Sequence, residues 1–175
     1  MKNFQISLSA LTIGEFLIGL AIIGVLALIL IPIYKTATPD KLESLHKKAT
    51  YTVDRIVNEL STDEYLYPNN GEYTGLSNTA GVQYGGQYHW GSSKFCTLFA
   101  SRIIKKPNSE VNCSPNSVSV TSSEGIDWYL PISDFKNGSE TILVDVNGSE
   151  LPNELGTDRF EYKVKPGLKV EVEEP

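Results

Sequence analysis

The sequence is poor in the side chains that usually carry chemistry. Its 175 residues include two histidines, His46 and His89, and two cysteines, Cys96 and Cys113, spaced too far apart for a zinc site. There is no phosphate-binding glycine loop, metalloprotease helix motif or nucleophile elbow, so no catalytic residue is assigned and no enzyme is expected. Clustered basic residues are also lacking. Lys47-Lys48 and Lys105-Lys106 are only pairs, and the formal net charge is -6. An acidic chain without a basic patch is not built to hold a phosphate backbone, so no nucleic-acid partner is expected.

What the chain does have is one long apolar run, Leu11 to Ile33, reading LTIGEFLIGLAIIGVLALILIPI. As a helix it has the roughly 20 apolar residues needed to cross a bilayer core. Its single charge is Glu15. A carboxylate inside lipid costs on the order of 3 kcal/mol, so this one calls for a partner. Ala10-Leu11-Thr12-Ile13-Gly14-Glu15 follows a short polar leader, and Pro32 lies 21 positions beyond Leu11.

In that register the segment resembles the processing site of type IV prepilins and type II secretion pseudopilins, with Ala10 standing where the family usually has Gly. The resemblance implies cleavage between Ala10 and Leu11 by a prepilin peptidase and N-methylation of Leu11. Assembly would run through Glu15, Thr12 and Pro32. In such a family the Glu15 carboxylate of an incoming subunit pairs with the Leu11 amine of one already in the filament. The other reading is that the amine neutralises Glu15 of its own chain, since the two are four residues apart and share a helix face. The implied partners are like subunits, the peptidase and the inner-membrane assembly machinery. The implied location is the cytoplasmic membrane, single-pass with the head outside, and then the filament.

Beyond the apolar run, Pro32 is expected to loosen the helix. Thr38-Pro39 reads as an N-cap followed by proline at the first helical position. From Lys41 on, Leu42, Leu45, Ala49, Val53, Ile56 and Leu60 recur at spacings of three and four, the stripe of a helix that lies on a sheet. The expected divisions are a leader at 1–10, a transmembrane and assembly helix at 11–34, an amphipathic half at 35–61 and a globular head at 62–175. The expected fold is α+β and pilin-like, with a long N-terminal helical spine packed on a C-terminal antiparallel sheet. From Leu11 to Leu60 a straight spine would measure about 75 Å.

Residues 61–93 are rich in Gly and Asn, with Tyr65, Tyr67, Tyr73, Tyr84, Tyr88 and Trp90 interspersed. They read as a long connection with at most short strands. Its aromatics either pin the loop to its own domain or form a sugar-binding or subunit-contact surface. Lys94 to Lys105 has a helical apolar pattern, stopped by Pro107. Strands are expected at Ser117–Thr121, Ile126–Leu130, Thr141–Val146, Arg159–Lys165 and Leu168–Glu173, the last two turning at Pro166-Gly167.

In an exported chain Cys96 and Cys113 form either one disulfide or a pair of free thiols, and the even count favours the bridge. Oxygen side chains at Asp145, Asn147, Asn153 and Asp158 have the hard-donor chemistry that calcium uses. The other reading is a loop held by Asx turns. No other cofactor is expected. The functional reading is a structural subunit of a type IV pilus or a type II secretion pseudopilus. The alternatives are a minor pilin whose head binds a ligand, and a membrane-tethered periplasmic domain.

Overall fold

The computed structural model describes the backbone of residues 13–37, 41–69, 75–166 and 170–173, and the side chains of 13–26, 41–69 and 75–166. The chain falls into two compact units, Met1–Asp40 and Lys41–Pro175.

The first unit contains helix α1, Ile13–Ala37. The helix runs through position 32, where the missing proline N–H was expected to loosen it. Among the described residues no helix is long and apolar enough to cross a membrane.

The second unit opens with helix α2, Lys41–Thr62. Ala49, Val53, Ile56, Val57 and Leu60 on its apolar stripe are all buried, with Leu42 and Leu45 packed against the same core. The expected long spine is therefore corrected. Helix α1 ends at Ala37, α2 begins at Lys41, and the two belong to different units. The sequence supplies a cause in Pro39, which has no N–H to donate and disfavours helical backbone at the residue before it. What packs on the sheet is a helix of 22 residues, and the α+β class stands without the spine.

After α2 come a single helical turn at Gly75–Ser77 and a small antiparallel hairpin, β1 (Val82–Tyr84) with β2 (Gln87–His89). Helix α3 covers Lys94–Ala100, shorter than the apolar pattern through Lys105 indicates. The chain tightens there, with Arg102 N–H donating to Phe99 and Ile103 N–H to Ala100. It then straightens so that Lys106 N–H donates to Thr121 at 3.0 Å. Residues read as the last turn of a helix thus run along the edge of the main sheet.

That sheet is a five-stranded antiparallel meander, in the order β3 (Val120–Thr121), β4 (Asp127–Tyr129), β5 (Glu140–Asp145), β6 (Arg159–Val164) and β7 (Val170–Glu173). All five expected strands are present within a few residues of their expected ends. Alternation explains the buried face. Ile142 pairs with Tyr162, and the two are buried with Val144 and Val164. Helix α2 lies against this sheet. His46 stacks on Phe160 with ring centroids 3.6 Å apart, and the Thr50 and Tyr162 hydroxyls are 3.1 Å apart. Phe95 packs on Phe135 and Phe99 on Trp128, joining α3 to the same core.

Candidate functional site

The residues singled out in the sequence fall in three places. At the first, Glu15 sits in the first turn of α1, where a carboxylate is favoured by the helix dipole. The described side chains around it are apolar on every side of the helix. Phe16, Leu17, Ile18, Leu20, Ile22, Ile23, Val25 and Leu26 are each at least half exposed. A helix apolar all round is one that buries itself in protein or lipid. The cleavage pair Ala10 and Leu11, with Thr12, lies outside the described residues, as do the side chain of Pro32 and the Thr38-Pro39 cap.

The second place is the cystine. Cys96 is the third residue of α3 and is fully buried, and Cys113 lies in the loop before β3. The two are bonded, with Cα atoms 6.0 Å apart. The bridge joins residues 17 positions apart and fastens the chain between them to the helix that carries Phe95 and Phe99.

At the third, two of the four residues read as calcium ligands, Asp145 and Asn153, converge on a cation the chain supplies itself, Arg159. Asp145 closes β5 and is the cross-strand partner of Arg159, which opens β6. Arg159 Nε–H donates to Asp145 Oδ2 at 2.8 Å, and Arg159 Nη2–H donates to Asn153 Oδ1 at 2.8 Å. Asp158 is fully buried, and its carboxylate accepts the Asn153 and Glu154 backbone N–H groups at 2.7 Å each. Burial by itself pushes the Asp158 pKa up, but these backbone donors, joined by Asn147, outweigh it and hold the group below the usual range. The Arg159 guanidinium is shifted up, chiefly by its hydrogen bond to Asp145. Asp145 Oδ1 and Asn147 Oδ1 are buried with no donor among the described residues. Among those residues no three His, Cys, Asp or Glu side chains are placed to share a metal. The arrangement is an arginine-filled turn in which Asp158 caps backbone N–H groups and Asp145 is held by a side chain.

Two buried polar groups carried no signal in the sequence. Lys94 reads there as the first residue of a helix, yet it is 1 % exposed. Its Nζ donates to the Asn78 carbonyl at 2.9 Å and the Ala80 carbonyl at 2.8 Å, and lies 4.3 Å from the centre of the Tyr67 ring. Removal from water lowers its pKa to about 8. The same burial raises the Tyr67 phenol, with Arg102 opposing it. His89 is also buried, with Nε2–H donating to the Tyr84 carbonyl at 3.2 Å and Nδ1 2.8 Å from Thr97 Oγ1. Together Lys94 and His89 fasten the connection after α2 onto α3.

No family model, curated protein or solved structure matches the chain.

Proposed function

We propose that the chain is a structural subunit of a type IV pilus or a type II secretion pseudopilus. One observation carries the proposal. Ala10, Leu11, Thr12, Glu15 and Pro32 fall in a single register of the prepilin processing segment. A lone apolar run would not require a carboxylate near its start, because that charge opposes insertion.

Two further features favour the reading. Apolar side chains surround the described part of α1, which suits a helix that ends in a bundle of like helices. The cystine suits a head that matures in an oxidising compartment. The subunit's work is then mechanical. The peptidase frees the Leu11 amine, the amine of one subunit meets Glu15 of the next, and a mispaired subunit leaves a charge bare among apolar helices.

The test is the intact mass of the protein extracted from the membranes of its native cell, with fragmentation of the N-terminus. A chain beginning at Leu11, with or without one added methyl group, is the expected result. A chain that still begins at Met1 overturns the proposal and leaves a tethered domain.

A further inference from the structure

The β1–β2 hairpin presents an aromatic face that neither the core nor the assembly reading uses. Val82 and His89 are cross-strand partners, and both are buried. Alternation therefore turns the next pair, Gln83 and Tyr88, to the outside. Trp90 continues in extended backbone, φ -157° and ψ 164°, and so shares the side of Tyr88. Tyr88 is 67 % exposed and Trp90 64 %.

The Tyr88 ring is placed before any ligand arrives. The Tyr88 ring lies so close over Gly81 that a Cβ there would overlap its Cε1, Cζ and Oη atoms. Gly81 thus serves as a bare strip of backbone on which the ring rests. At the β1 edge, the exposed Tyr65 donates its hydroxyl to the Gln83 carbonyl at 2.9 Å. Behind the face His89 is held by Thr97 and Tyr84. A surface ordered in advance binds at a lower entropic cost.

We infer that this face binds an uncharged hexopyranose glycan. An aromatic face is electron-rich and attracts the polarised C–H groups on one side of a pyranose ring. The Gln83 amide offers both a donor and an acceptor to sugar hydroxyls. Residues 81–91, GVQYGGQYHWG, contain no Asp, Glu, Lys or Arg. An anionic glycan therefore finds no cation on the hairpin, and the net charge of -6 repels it. A protein partner is disfavoured by size. Two rings about two-thirds exposed offer roughly 200–300 Å², given ~150–250 Å² per aromatic side chain. A standard interface takes about 800 Å² from each partner. The inference stands on the hairpin alone and does not depend on the assembly reading.

The test applies the full chain, purified in a detergent without a sugar head group, to an array of neutral and sialylated oligosaccharides. Retained neutral oligosaccharides are then titrated by calorimetry in the parent and every variant, and by tryptophan fluorescence in those that keep Trp90. Trp90 is exposed and Trp128 is buried, so the ligand-sensitive signal comes from Trp90. Expected are retention of neutral hexose or N-acetylhexosamine oligomers over sialylated ones, and a tenfold or greater weakening in Tyr88→Ala and Trp90→Ala with unchanged circular dichroism. Gly81→Ala, which displaces the Tyr88 ring, weakens binding to a similar degree, and Tyr51→Ala on α2 leaves it unchanged. The inference is overturned by no retention of neutral glycans at millimolar concentration, by a preference for sialylated ones, or by Tyr88→Ala and Trp90→Ala binding as the parent does. It is equally overturned if the hairpin captures a protein through Tyr88 instead.

Discussion

Arg159 and Asp145 face each other across the β5–β6 pair, and their side chains close the contact at 2.8 Å. The arginine is about one-third exposed while the aspartate is almost wholly buried. The pair is lopsided, because losing the arginine leaves a carboxylate that cannot reach water. Arg159→Met is expected to destabilise the protein by about 3 kcal/mol, near the lower end for breaking a buried pair. Asp145→Asn combined with Arg159→Met should recover part of that loss. A denaturant titration of the two variants checks both expectations.

The same guanidinium bears on calcium. It already supplies positive charge to Asp145 and to the Asn153 side chain. Adding calcium after chelation is therefore expected to leave the thermal midpoint unchanged. A rise of several degrees would place a calcium ion beside the arginine.

Lys94 makes stability depend on pH in an unusual direction. Its folded-state pKa is about 8, below the ordinary 10.5. Between those values the unfolded chain binds a proton that the folded chain does not, so folding becomes more favourable as pH rises from about 8 towards 10. Tyr67 acts the opposite way at the top of this window. Its phenol is raised in the folded state, so its contribution falls once the unfolded tyrosine ionises. Subtracting the pH–stability curve of Lys94→Met from that of the parent isolates the lysine. The difference should change in the parent's favour between pH 8 and 10. A flat difference would mean that the amine is solvated after all.

Reduction of Cys96–Cys113 should cost about 3 kcal/mol, the chain-entropy value for a loop of roughly this length. Unfolding with and without reductant, or of Cys96→Ser with Cys113→Ser, measures it. Loss should be greatest in the protection of α3 amides from exchange, because the bridge ends inside that helix.

If the chain assembles as proposed, Glu15→Ala should lower filament yield tenfold or more while leaving the thermal midpoint of the head unchanged. Glu15 belongs to one compact unit and the packed core to the other. Filament mass in sheared fractions, set beside a melting curve, separates an assembly defect from a folding defect.

Periodicity made the head legible in the sequence. Leu42 through Leu60 announced a helix with one buried face, and Phe160, Tyr162 and Val164 announced a strand, because spacing alone decides which side chains share a face. The break in the spine is legible at Thr38-Pro39, which reads as the start of a new helix, and the expectation of one long spine sets that local backbone signal aside. The arginine-filled turn was not legible either. Asp145 and Arg159 meet only because the β5–β6 register sets them opposite each other, and a list of oxygen donors does not reveal which cation stands among them. Lys94 was the least visible. Its partners are main-chain carbonyls, and every residue has one of those.

The sheet is a simple meander, so each strand meets a neighbour made just before it. Helix α2 is the exception. Thr50 waits for Tyr162, 112 residues later in the chain. At a ribosomal pace of roughly 10 residues per second, the side of α2 that β6 covers stays bare for on the order of ten seconds during synthesis. A young chain of this protein therefore carries one bare flank of that helix for much of its making, and a holding chaperone would find its grip there.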